Sequence, residues 1–361
     1  MLSAPRRRFA WFATRPDPKM ASVRVRMMEP LAALRARGLQ VEAYDPAVGV
    51  AGYDAVIFCK AFCDEAQRLA REARTAGRAV VFDICDNVFE GKSARGGRGD
   101  KPRRVRAMLA AATHVTTSTP VLAAQIRAFT PTTVDIRIIP DALDSAAAAL
   151  DGPLSDKERG RLRALERFLS GHKDALRCVW FGKSQGALAG LAHLRPAVEA
   201  LARFSATHPV TLTVISNARW RYWKAALGWP PAPSFYMPWS LATSGRALSL
   251  HDVAILPVEE NGYTAGKSIN RAATAIIAGL GVVADPVASY EELRPFIPLG
   301  DWQGGLARYL HARPATDPRL EAARHHLEGR YGASAVAGEW ARFLNEAVNG
   351  PREAAPLPLA G

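Results

Sequence analysis

The chain reads as α/β, with two doubly wound halves facing a cleft, each a parallel sheet flanked by helices. Short apolar runs rich in Val, Ile and Phe recur along the sequence, and segments of helical period separate them. This rhythm breaks between Ser145 and Asp174 and then starts again. The 361 residues suffice for two domains of ordinary size.

In the first half, strands are expected at Arg8–Ala13, Val41–Tyr44, Ala55–Cys59, Val80–Ile84, His114–Thr117 and Ile136–Ile139. A helix over Val23–Arg37 carries an apolar side of Val25, Met28, Leu31, Ala32 and Leu34, and Gly38 suits its C-cap. Further helices are expected at Asp64–Thr75 and at Pro120–Phe129, the latter opened by the hydroxyl cap and proline of Ser118-Thr119-Pro120. Alternation of strand and helix means a parallel sheet. The first domain is therefore set at 1–145, followed by a linker at 146–175 with one helix over Lys157–Leu169. The second domain, 176–317, has strands at Cys178–Phe181, Thr211–Ile215, Ser234–Met237, Val253–Leu256 and Val282–Ala284, and a helix at Ala187–Ala206. Helical sequence at 318–350 and a loose tail at 351–361 complete the chain.

With 48% hydrophobic and 22% charged residues the composition is that of a soluble globular protein. No apolar run approaches the ~20 residues of a membrane span. The start of the chain, with Arg6-Arg7-Arg8 before a short apolar run and Arg15-Pro16-Asp17-Pro18 after it, reads as a first strand and not as a signal peptide. Four cysteines without framework spacing point to buried thiols in a reducing cytoplasm. The net charge of +13 suits phosphorylated substrates or an anionic membrane, or reflects Arg-rich codon usage. No recognition helix, zinc finger or aromatic RNA-binding segment is present, so nucleic acid is not expected.

The richest segment runs from Asp252 to Asp285. An apolar strand ends at Pro257, a polar loop with Glu259, Glu260 and Asn261 follows, and Lys267-Ser268-Ile269-Asn270-Arg271 opens a helix that ends at Gly279. In open α/β sheets, ligands bind at the carboxyl ends of strands beside helix N-termini. Lys267 and Arg271, four apart, would share a face of that helix, and with Ser268 and free N–H groups would cradle a diphosphate; the alternative is a solvated helix start. Gly182-Lys183-Ser184-Gln185-Gly186 follows the first strand of the second half and suits close approach of backbone to phosphate, or is a plain turn; Walker spacing is absent.

This segment resembles the donor-binding core of GT-B-fold glycosyltransferases, enzymes with two Rossmann-like domains that use nucleotide sugars. Gly279-Leu280-Gly281-Val282-Val283-Ala284 is similar to the family's "GxPVVA", with Gly281 in the place of Pro. In the first half, "STP-x-L" and "IPNALD" turns are matched by Thr117 to Leu122 and Ile139 to Asp144, and Val80 to Asn87 is similar to a "D-x-D-D" strand end. A retaining branch carries two Glu eight positions apart, where this chain has Gly266 and Thr274. The resemblance implies transfer of a sugar from a nucleotide-sugar donor to a hydroxyl of a glycan, lipid-linked or protein acceptor, with no cofactor and no divalent metal. It also implies a terminal helix that returns to the first domain.

The donor set expected is Gly182, Lys183, Ser184, Trp239, Glu260, Asn261, Lys267, Ser268, Asn270, Arg271 and Glu291, with Trp239 against the base and the carboxylates on hydroxyls. Asp83 and Asp86 end a strand and are the candidate acceptor-activating bases, with helix capping as the alternative. Arg24, Arg26, Arg95, Arg98, Arg103 and Arg104 are expected to meet an anionic acceptor. The basic, glycine-containing stretch Lys92–Arg106 would also make a peripheral contact at the inner face of the membrane, or is a solvated loop. A non-catalytic ligand-binding module and a nucleotide-sugar epimerase are the rival readings. A dinucleotide dehydrogenase is disfavoured, because no GxGxxG follows the first strand.

Overall fold

All eleven strands expected from the sequence form, in two parallel sheets of six and five strands. The computed structural model describes residues 7–89, 100–130, 134–184, 189–230, 232–311 and 316–349. Contacts divide the chain into two units: Met1–Leu143 with Gly266–Ser268 and Arg330–Gly361, and Asp144–Ala265 with Ile269–Gly329.

The first unit holds β1 (Arg8–Phe12), β2 (Gln40–Ala43), β3 (Ala55–Cys59), β4 (Ala79–Ile84), β5 (His114–Thr117) and β6 (Ile136–Ile138), ordered β2-β1-β3-β4-β5-β6. Alternation along β1 shows how both faces are used. Phe9 and Trp11 pack with Met27, Leu31 and Trp340, whereas Ala10 and Phe12 pack with Ala66, Leu69 and Met108. Trp340 is carried by the C-terminal helix Ala333–Asn349 and meets Trp11 edge-on, with ring centroids 5.4 Å apart.

The helix expected at Val23–Arg37 is interrupted. A short α-turn (Ala21–Val23) leads into a π-helical segment (Arg24–Met28) and then an α-helix (Glu29–Ala36). The wider π turn buries Arg24, Val25, Arg26 and Met27 in succession, which an amphipathic α-helix would not do. The basic stretch is also partly helical. Lys101–Ala111 is a helix capped by Asp100, whose carboxylate accepts from Arg103 N at 3.1 Å, with Val105, Met108 and Leu109 buried. Arg95 and Arg98 lie outside the described residues.

The second unit holds β7 (Leu176–Gly182), β8 (Val210–Ser216), β9 (Ser234–Pro238), β10 (Val253–Leu256) and β11 (Gly281–Ala284), ordered β11-β10-β7-β8-β9. The chain winds outward from β7 to β9, then returns to build β10 and β11 on the other side. Strand order thus reverses between β7 and β10. The expected linker is not a free tether: helix Asp156–Ser170 belongs to this unit. A capping box of Ser155 and Glu158 opens it, Leu162, Leu165 and Leu169 are buried, and Phe168 stacks on Phe235 of β9. The helix expected from Ala187 is a 3-10 turn (Gly190–His193) followed by Leu194–Ser205. Helices Arg219–Ala226, Leu241–Leu248 and Trp302–His311 were not apparent in the sequence pattern.

All four cysteines are free thiols; Cys59, Cys85 and Cys178 are buried and Cys63 is partly exposed. Burial pushes the Cys85 thiol up to about 12, and raises Cys59 and Cys178 as well. No helix among the described residues is long and apolar enough to cross a membrane.

His251, just before β10, is buried. Its Nδ1 donates to Ala247 O at 2.7 Å, so its Nε2 accepts from Thr213 Oγ1, also at 2.7 Å. Burial disfavours the imidazolium and lowers its pKa from 6.5 to about 4, against the pull of the backbone bonds. The unfolded chain therefore binds a proton that the folded chain refuses between these values. Stability should fall as pH drops from 6.5 to about 4, and His251→Gln should flatten that part of the profile. Urea titrations across this range measure the slope; an unchanged slope in the variant would reject the assignment.

Candidate functional site

The carboxyl ends of β7 and β10 meet where the order of the second sheet reverses, the position at which open α/β sheets bind ligands. Gly182 ends β7. A Cβ there would stand 3.1 Å from the Arg271 guanidinium and 3.4 Å from the Trp180 ring, so the bare glycine lets Arg271 lie against this strand end without shifting. Arg271 is in the first turn of helix Asn270–Ile277, with its guanidinium 5.8 Å from the centre of the Trp180 ring. Gly190 has φ +87°, and a Cβ on it would be 2.6 Å from Lys183 O. This contact folds the 3-10 turn back on the β7 loop and delivers His193.

His193 is buried and carries no signal in the sequence pattern. Glu259 N donates to its Nδ1 at 3.2 Å, which leaves the ring proton on Nε2, 3.8 Å from the Glu259 carboxylate. Burial, opposed by Glu259 and aided by Arg271, lowers its pKa. The imidazole is therefore neutral at neutral pH and serves as an Nε2 donor. Asp285, at the end of β11, fixes the loop after β10 by accepting from Val258 N at 3.0 Å and Trp302 Nε1 at 2.9 Å.

A second cluster lies at the carboxyl end of the first sheet. Arg26 is fully buried; its Nε donates to Asp83 at 3.1 Å, its Nη2 pairs with the other Asp83 oxygen, and its Nη1 reaches Ile139 O at 2.5 Å and Asp141 at 3.3 Å. Thr116 donates to Asp83 at 2.8 Å. Burial opposes the Arg26 charge, but Asp83 and Asp141 outweigh it and raise its pKa. Asp86 pairs with both Lys60 and Lys267. Burial would raise its carboxyl, yet the two ammonium groups hold it well below the usual carboxylate range. Ser268 donates to Asp141 at 2.6 Å, and burial pushes the Asp141 carboxyl up against Arg26 and Ser268. Lys60 has φ +48°, a conformation that side chains other than Gly, Asn and Asp rarely adopt. Its N–H donates to Asp83 O at 2.7 Å, which holds it there.

No protein-family model matches the chain, and no curated protein matches it. Solved structures do. HepE from Anabaena, crystallised with UDP and glucose, is similar over 94% of this chain and 99% of its own, with a TM-score of 0.58 at 14% identity. A glycosyltransferase from Rickettsia africae ESF-5 is similar over 96% of this chain and 100% of its own, at 0.63 and 10% identity. The fold is GT-B. A putative UDP-N-acetylglucosamine 2-epimerase from Listeria monocytogenes shares it over 96% of this chain and 97% of its own, at 0.56 and 11% identity.

On this GT-B fold the expected residues separate. Gly182, Asn270 and Arg271 lie at the switch point of the second sheet, and Lys183, which follows Gly182, is exposed. Lys267 and Ser268 precede the helix, belong to the first unit and bind Asp86 and Asp141, so Lys267 and Arg271 do not share a helix face. Ser184 is buried; its N–H donates to Asn217 at 2.9 Å and its hydroxyl accepts from Ser216 at 3.2 Å, so both are engaged within the protein. Asn261 accepts from Tyr263 N and Thr264 N and shapes its own loop, beside the exposed Glu260. Glu291 is held in a two-pronged surface pair by Arg294 at 2.7 Å. Trp239 follows β9, with its N–H donating to Ser216 O at 2.9 Å.

The acceptor set needs correction. Arg26 has no exposed surface and spends its charge on Asp83 and Asp141. Arg24 is buried and donates to Pro18 O at 2.5 Å. Arg104 pairs with Asp64 at 3.1 Å, and Arg103 alone of the described acceptor arginines is largely exposed. Asp83 is fully buried in the Arg26 fork, which excludes it as a base for an incoming hydroxyl. Asp83→Asn should lower unfolding free energy by about 3–5 kcal/mol, because it breaks the closest buried pair of Arg26 and leaves only Asp141 to balance the charge. Urea denaturation measures this. Wild-type stability with loss of turnover would restore the catalytic assignment.

Proposed function

We propose that this chain transfers a glycosyl group from a nucleoside diphosphate sugar to a hydroxyl of a glycan, lipid-linked or protein acceptor. The donor diphosphate would lie at the β7–β10 switch point. The observation that carries this reading is the Gly182–Arg271 approach: a guanidinium beside a strand end without a Cβ, at the first turn of a helix. Two phosphate oxygens can bind such a guanidinium together, and the helix N–H groups add to it. UDP is the first nucleotide to test, because HepE was crystallised with it.

In transfer, the bond between anomeric carbon and diphosphate oxygen breaks, a bond to the acceptor oxygen forms, and the proton of the acceptor hydroxyl passes to the leaving diphosphate. Negative charge grows on the leaving diphosphate, where Arg271 and the helix N-terminus meet it; the Nε2 proton of His193 is a further donor. The exposed Glu260 and the half-buried Trp239 keep their proposed roles at sugar hydroxyls and base. These fixed donors take the part that a divalent ion plays elsewhere, so we expect turnover without metal.

Arg271→Ala should weaken UDP binding by about 1.5–3 kcal/mol, the range for hydrogen bonds to charged groups. Lys267→Ala should leave it near wild type. Calorimetry on both variants decides between them; loss in Lys267→Ala alone would move the diphosphate to the Lys267 segment.

Turnover with a nucleotide sugar and acceptor should survive exhaustive chelation. Loss restored by magnesium or manganese would overturn metal independence. The Listeria protein's fold keeps epimerisation as a second reading, and release of a 2-epimerised sugar without acceptor would favour it.

A further inference from the structure

Helix Arg219–Ala226 follows β8 and has an unusual surface. Trp220 is 79% exposed, Trp223 52%, and Leu227, just past its end, 89%. At about 100° per residue, positions 220, 223 and 227 form one stripe. Tyr222, on the opposite side, is buried; its hydroxyl meets Ser234 Oγ at 2.9 Å and its ring packs on Tyr236 and Trp229. That anchor fixes the helix and holds the stripe outward.

The charges carried by this helix have one sign. Arg219, Arg221 and Lys224 are exposed and flank it, and no acidic residue occurs between Glu199 and Asp252. Tryptophan and leucine at the centre with cations at the rim match a bilayer interface, where indole rings sit at headgroup depth and cations meet anionic lipid. A protein partner fits less well. Three side chains on a helix about 12 Å long fall short of the ~800 Å² per partner that a stable interface buries.

We infer that the Trp220–Trp223–Leu227 stripe docks the protein on an anionic membrane surface. The contact belongs to the second unit and is separate from the basic stretch that the sequence brought forward. In that stretch Arg104 is paired with Asp64, and Arg106 lies over the Phe129 ring.

The test is co-sedimentation of the full chain with vesicles of phosphatidylcholine alone and of phosphatidylcholine with phosphatidylglycerol in equal parts. The wild type should bind the anionic vesicles, and binding should weaken with salt. Trp220→Ala/Trp223→Ala/Leu227→Ala should lower the partition coefficient about tenfold or more, since these side chains would lose their apolar transfer. Arg219→Gln/Arg221→Gln/Lys224→Gln should weaken binding and flatten its salt dependence. Arg103→Gln/Arg104→Gln should bind like wild type. A melting curve for each variant, matched to wild type, shows that loss of binding is not loss of fold. Three results would each overturn the proposal: full vesicle binding by the triple apolar variant, no binding of wild type to anionic vesicles, or concentration-dependent self-association that the apolar variant abolishes. Nucleotide affinity is independent of all three, so their failure leaves the proposed transferase site untouched.

Discussion

The first unit is organised around one buried charge. Arg26 reaches the protein interior on a π turn, and once there it must be paired. Asp83 from β4 and Asp141 after β6 supply the carboxylates, Ile139 supplies a carbonyl, and Trp340 of the C-terminal helix covers the guanidinium face at 5.6 Å. A buried ion pair adds little net stability over an apolar replacement, but either partner alone is costly. Its effect here is to make four distant stretches of sequence interdependent. Each must be in place for the charge to be tolerated.

The two sheets use their carboxyl ends differently. In the first, cations and carboxylates neutralise one another: Arg26 with Asp83 and Asp141, Lys60 and Lys267 with Asp86. In the second, Arg271 lies along an aromatic ring and a bare strand end, and His193 is kept neutral by burial despite a nearby carboxylate. The first arrangement suits architecture and the second suits an incoming anion. The contrast shows how most of the strand-end charges of the first sheet are spent within the protein.

The strands were legible because each is a short apolar run, and burial on both faces removes any polar alternation that could confuse them. The places of Gly182 at a strand end and of Arg271 at a helix start were legible because the strand–loop–helix pattern fixes them. Four things were hidden. Helix Lys101–Ala111 looks like a basic loop because its cations crowd its first turns and most of its buried positions come after them. Lys267 is indistinguishable from a helix-start cation until the helix is seen to begin at Asn270. Arg26 sits in a run of Arg, Val and Met whose burial depends on a π turn, and helical periodicity assumes that no such turn exists. His193 could have been found only through Gly190, whose left-handed φ folds it toward the strand end.

The distribution of sulfur gives the molecule a built-in reporter. Cys59, Cys85 and Cys178 are sealed in the interior, where burial keeps them as unreactive thiols. Cys63, beside Thr14 Oγ1 at 3.6 Å and just before helix Asp64–Thr75, is the one cysteine that is not buried. An alkylating reagent thus meets a single site in the native chain and three more only as the sheets open. A dye placed on Cys63 would sit in the turn between β3 and helix Asp64–Thr75, without an engineered cysteine or the removal of any other.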